Sequence, residues 1–200
     1  MTQTVVAVPD AREETRARIE SAALDLFTAR GFERVTTDEI ADAAGISRRT
    51  FFRHVSSKAD AVWGDFDAHV VRLEALLINA PGRDRSVLGS ICAAYVEVND
   101  YAAADLPMLR QRMRLILTEP ALQGHSQVRY AEVDRVVAAH VARRTGVAPD
   151  ALVPRLVATS TRAAATTAFE VWLADGRITL AAALHQAFDE LAGGFPSLRH

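Results

Sequence analysis

The sequence predicts an all-α protein. Two observations carry this: apolar residues recur at three- and four-residue spacing along almost the whole chain, and no stretch alternates apolar with polar in the manner of a strand. A third is the punctuation, in which glycine, proline and capping side chains fall between the periodic segments. The 200 residues, half of them apolar, suffice for a large core. Cys92 is the only cysteine, so an internal disulfide is excluded and a reducing, cytoplasmic setting is expected. No apolar run reaches membrane-spanning length and the start lacks a signal-peptide pattern, so no membrane partner is expected.

Residues 1–11 read as a disordered arm. Glu13 to Arg30 form the first helix, with Ile19, Ala22, Ala23, Leu26 and Phe27 inward; Gly31 ends it and Phe32 folds back. Thr36 and Glu39 make a capping box for a second helix, whose stripe is Ile40, Ala41 and Ala44. Gly45 permits a sharp turn, and Ser47 caps a third helix that buries Phe51 and Val55. Ser57 and Asp60 open a fourth, expected to run unbroken through Trp63, Phe66, Val70, Leu73 and Leu77 to Pro81-Gly82. Further helices are expected near 84–104, 105–118, 122–145, 151–175 and 179–193, about nine in all.

The pair joined at Gly45 has helix-turn-helix grammar. From 46 to 58 the charged residues are Arg48, Arg49, Arg53 and Lys58, with no acid, while Glu33, Asp38, Glu39 and Asp42 precede them. Net charge is −2, so a nucleic-acid partner is argued from local placement of charge. The bland alternative is a solvated basic face or a protein-docking helix.

The order helix, Arg-Gly-Phe, Thr-Thr-x-x-Ile-Ala-x-x-Ala-Gly-Ile-Ser, short helix, Ser-Lys over residues 13–65 resembles the TetR family of bacterial repressors. A narrower resemblance rests on SRRTFFRHVSSKADAVWGDFDAH and RMRLILTEPALQGHS: these are similar to regulators of mycofactocin biosynthesis, whose body is called an acyl-CoA-like ligand-binding domain. The resemblance implies a DNA head over 12–72, a ligand-binding and dimerisation body over 73–200, a homodimer, a double-stranded palindromic operator and a small-molecule effector.

On that footing the DNA-binding candidates are Thr36, Thr37, Ser47, Arg48, Arg49, Thr50, Phe52, Arg53, His54 and Lys58. Arg48 and Arg49 stand at the start of the reading helix, where arginine can grip guanine with two bonds; phosphate is the alternative for Arg49. Phe52 replaces the family's common tyrosine and keeps only apolar contact. His54, Thr36, Thr37 and Lys58 are expected on phosphates.

In the body, polar residues on apolar faces give ligand candidates: Tyr95, Asn99, Arg162, Thr166 and Phe169, with Arg110 and Arg114 for a phosphate-bearing moiety. The resemblance favours a long-chain acyl-CoA effector; no cofactor and no metal site are expected. Leu180, Leu184, Phe188 and Leu191, with Ala163, Ala164, Ala165 and Ala168, are the expected dimer stripe, or else core within one chain. The motifs of phosphate loops, dinucleotide folds, serine hydrolases and zinc proteases are missing, which argues against an enzyme. An activator, a regulator of a different hydrophobic effector and a ligand-free DNA binder are the other readings.

Overall fold

The computed structural model describes residues 11–80 and 86–195. Among these are ten α-helices and no strand: α1 Ala11–Arg30, α2 Thr37–Ala43, α3 Arg48–His54, α4 Lys58–Trp63, α5 Phe66–Ile78, α6 Val87–Val98, α7 Leu106–Thr118, α8 Gln123–Thr145, α9 Leu152–Ala174 and α10 Leu180–Gly193. A 3-10 turn at Pro120–Leu122 leads into α8. The expected arm lies outside the described residues except for Ala11, which already belongs to α1.

The chain groups into two compact units. The first holds the residues up to Gly64 together with Pro107–Gln123; the second holds Asp65–Leu106 and the chain from Gly124 onward. Thus α7 joins the head instead of continuing the body. Gln111 on α7 donates to Asp25 at 3.2 Å, and Arg112 donates to Glu20 at 2.7 Å, both on α1. Sequence periodicity shows that a helix has an apolar face but not which neighbour covers it.

Within the first unit, α1 packs against α2, α3 and α4. Ile19, Leu24 and Phe27 of α1, and Ile40, Phe51 and Val62 of the helices packed against it, are all closed to solvent. Phe32 folds back as expected, with its ring 4.8 Å from that of Phe27. Truncating a buried phenylalanine such as Phe51 typically costs about 3–5 kcal/mol.

The expected unbroken fourth helix is corrected to two. Gly64 has φ 59° and ψ −144°, which ends α4, and α5 restarts at Phe66. The apolar spacing runs through this break, so spacing alone hides it.

The second unit is built on α5, α6, α8, α9 and α10, with α10 packed on α9 and α6. Leu180, Leu184 and Phe188 are buried inside this unit, as are Ala165 and Ala168. These five members of the stripe expected at a dimer interface are core of a single chain, with Phe188 5.4 Å from Tyr95 of α6, while Leu191 and Ala164 are half-buried and Ala163 is exposed. The outward faces carry Leu152, Leu156 and Val171 on α9, and Ala181 and Ala182 on α10.

Candidate nucleic-acid interface

Local chemistry sets the two ends of the helix-turn-helix. The Thr36 hydroxyl accepts from Glu39 N at 3.3 Å, and the Glu39 carboxylate accepts from Thr36 N at 2.8 Å, so the capping box is closed. The Thr36 backbone N–H holds the Glu39 carboxyl down at about 2, helped by Arg30. Gly45 takes φ 65°, and Arg18 donates to the Ala44 and Gly45 carbonyls, fastening the turn to α1. Ser47 Oγ then accepts from Thr50 N at 3.1 Å and starts α3.

On α3 Phe51 is fully buried, which turns Arg49 and Arg53 to the opposite face. Neither arginine makes an ion pair or hydrogen bond among the described residues. Arg48 lies at one edge, 2.6 Å from Asp38 of α2, with its guanidinium 5.3 Å from the exposed Phe52 ring. Thr50 shares a 3.0 Å hydrogen bond with Ser47. Thr37, half-buried, begins α2 beside Thr36.

His54 lies at the other edge. Burial, then the charges of Arg53, Arg12 and Arg16, push its pKa below the usual histidine range. This favours the neutral imidazole, with Nδ1 shut off from solvent and lacking a hydrogen-bond partner among the described residues. Lys58 differs from expectation. Its ammonium turns inward, donates to the Phe32 and Val35 carbonyls at 2.9 and 3.2 Å, and sits over the Phe32 ring. It braces the α1–α2 loop against α4, where sequence reasoning had it on a phosphate.

The ligand candidates separate. Arg110 and Arg114 are on α7, in the first unit. Asn99 caps α6, its amide donating to Tyr95 O at 2.8 Å, and Phe169 is buried against Trp172. Thr166 is half-buried. The structure does bring Tyr95 and Arg162 together. Burial, and next the Asp134 carboxylate, raise the Tyr95 pKa, with Arg162 opposing. Its hydroxyl is closed to solvent and lies near Thr161 without a hydrogen bond of ordinary geometry. Arg162 pairs with Asp134 at 2.9 Å, over the ring of Tyr130. Sequence reasoning missed Tyr130 and Asp134; their i,i+4 spacing on α8 was the available signal. A separate recess of ≈ 260 Å³ between α5 and α6, walled by Arg72, Asn79, Ser90 and Glu97, touches none of the seven candidates.

An acid-free outer face on a short helix, set on a capped partner helix across a glycine turn, defines a DNA-binding head. The chain belongs to the TetR family of bacterial transcription regulators: residues 19–61 match the family described as bacterial regulatory proteins, tetR family, and residues 85–196 match the MftR C-terminal domain. It is 39% identical to a Mycobacterium tuberculosis protein described as mycofactocin biosynthesis transcriptional regulator MftR, over 94% of each chain. It is 28% identical to the transcriptional activator FasR of Mycolicibacterium smegmatis, over 83% of this chain and 75% of that one. The Thermus thermophilus repressor FadR, solved with lauroyl-CoA, superposes with a TM-score of 0.59 at 21% identity, covering 90% of this chain and 94% of that one. The protein is thus a transcription regulator and not an enzyme.

Proposed function

We propose that this regulator is a repressor that grips a palindromic operator as a homodimer and is released by an acyl-CoA-type effector. The observation that carries the DNA half is the outward face of α3, where Arg49 and Arg53 stand without a carboxylate partner. Arg48 and Arg49 read bases, while Thr36, Thr37 and Ser47 meet phosphates.

One head offers few base contacts, and a two-fold pair of heads doubles them on half-sites about one DNA turn apart. The exposed Leu152, Leu156 and Val171 of α9, beside the small Ala181 and Ala182 of α10, suit close approach of a second copy.

For the effector, the buried Tyr95 hydroxyl is a donor in want of an acceptor, and a thioester carbonyl supplies one. Arg162 stands beside it. The lauroyl-CoA held by FadR supports the same ligand class. A ligand shifts the equilibrium only through different affinities for the two states.

Fluorescence anisotropy on DNA from beside the gene, with sedimentation of the complex, tests the reading. Binding of two protomers per site and loss of affinity on adding long-chain acyl-CoA are expected. Unchanged affinity at saturating acyl-CoA would overturn the switch. FasR favours a second reading, an activator, which transcription in vitro from the same promoter separates.

A further inference from the structure

At 100° per residue, α3 has two edges on either side of the Arg49–Arg53 line. Arg48 and Phe52 form one, and the Arg48–Asp38 pair marks it as the edge beside α2. Thr50 and His54 form the other, and that edge faces α1. There Arg53 and His54 share an open recess of ≈ 420 Å³ with Ala11, Arg12 and Thr15. Among the described residues the charges acting on His54 are positive, coming from Arg53, Arg12 and Arg16. Among the described residues its wall combines two guanidinium groups and an imidazole and carries no carboxylate, while the Thr15 hydroxyl beside them already donates to Ala11 O at 2.8 Å.

A helix with its side chains is about 10–12 Å across, and the major groove is about 12 Å wide. A helix seated there has a phosphate strand along each edge. On the DNA-binding reading above, the start of α2, with Thr36 and Thr37, would meet the strand beside the Arg48 edge. The strand beside the His54 edge would then lie against the recess between α3 and α1.

We infer that Arg12 of α1, with Arg53 and His54 of α3, forms a second phosphate seat that holds the far backbone strand of the DNA. This rests on the DNA-binding reading above and extends the interface to α1, outside the helix-turn-helix. The seat is independent of base sequence. It sets how deeply α3 lies in the groove and adds to the salt dependence of binding.

The experiment measures affinity for a short mixed-sequence duplex across a salt series. Arg12→Ala is expected to weaken binding about 3- to 10-fold at moderate salt and to flatten the slope of log K against log salt by about 0.9. Arg12→Lys, which keeps the charge, is expected to retain the slope. Arg177→Ala removes an exposed cation from the second unit and is expected to leave it unchanged. Melting curves establish that each variant is folded. If Arg12→Ala keeps the wild-type slope while Arg49→Ala loses affinity, the second seat is wrong and the DNA-binding head stands. Equal losses from Arg12→Ala and Arg177→Ala would also overturn the seat, by showing a diffuse charge effect. A wild-type chain that binds no duplex at low salt overturns both.

Discussion

Arg112 of α7 closes on Glu20 of α1 at 2.7 Å, and the two side chains are only 18% and 12% exposed. The other Glu20 oxygen takes Arg16 Nε at 3.3 Å, and Arg16 also donates to Gly64 O at 2.5 Å. One carboxylate thus ties α7 and the end of α4 to α1. Arg112→Ala leaves a nearly buried carboxylate short of its partner and is expected to cost about 2 kcal/mol in denaturant unfolding. Arg112→Lys is expected to recover little, because a lysine lacks the guanidinium fork.

The same knot fixes the residue at position 64. A Cβ there would lie 2.8 Å from both Arg112 Nη2 and Glu20 Oε2, at a φ of +59° that favours glycine. Gly64→Ala is expected to destabilise the first unit by about 1–3 kcal/mol. Hydrogen exchange can locate the loss: protection should fall in α1, α4 and α7, and a uniform or absent effect would contradict the assignment.

Asp38 holds Arg48 in an exposed pair, 57% and 62% accessible. Such pairs contribute little to stability, about 0–1 kcal/mol. Asp38→Asn removes an acid next to the approaching phosphates and frees Arg48. DNA affinity is expected to rise a few-fold at low salt, and the gain to fade at high salt. A fall in affinity instead would mean that Asp38 orients Arg48 for its base.

Histidines shifted downward give both units acid sensitivity, and His69 in the second unit shows how. Burial beside Phe66, and then the Arg72 charge, hold His69 at about 4, below the ordinary 6.5. Between those values the unfolded chain binds a proton that the native chain refuses. Stability from this group is therefore complete above 6.5 and is lost as pH falls toward 4. Buried His140, hydrogen-bonded to Ser90 and Leu77 O, is also shifted down and acts with the same sign. Unfolding midpoints of His69→Gln measured across this range should show a shallower slope, though not a flat one.

Much of the head was legible because its signals are local. Thr36 and Glu39 stand three apart, Ser47 sits three before Thr50, and Ser57 three before Asp60; each pair closes within one turn whatever surrounds it. The helix ends of the body follow the same way at Gly146 and Gly194, and the TetR resemblance rests on this kind of ordered string. Destinations of long side chains were not legible. Lys58 looked like a free cation until the Phe32 and Val35 carbonyls, more than twenty residues away, came to meet it.

The sequence by itself determined the capped ends of α2, α3 and the start of α4, which face of each helix is apolar, and that α3 shows arginines outward, since caps and periodicity act within a few residues. Tertiary structure alone decided that α7 belongs with the DNA head, that Leu180, Leu184 and Phe188 fill their own chain's core, and that Gly64 interrupts a continuous apolar run. An apolar stripe must be buried, but its residues carry no address for the partner. The address is set by shape and by a few buried charges such as Glu20, which meet their counterparts only when the whole chain has folded.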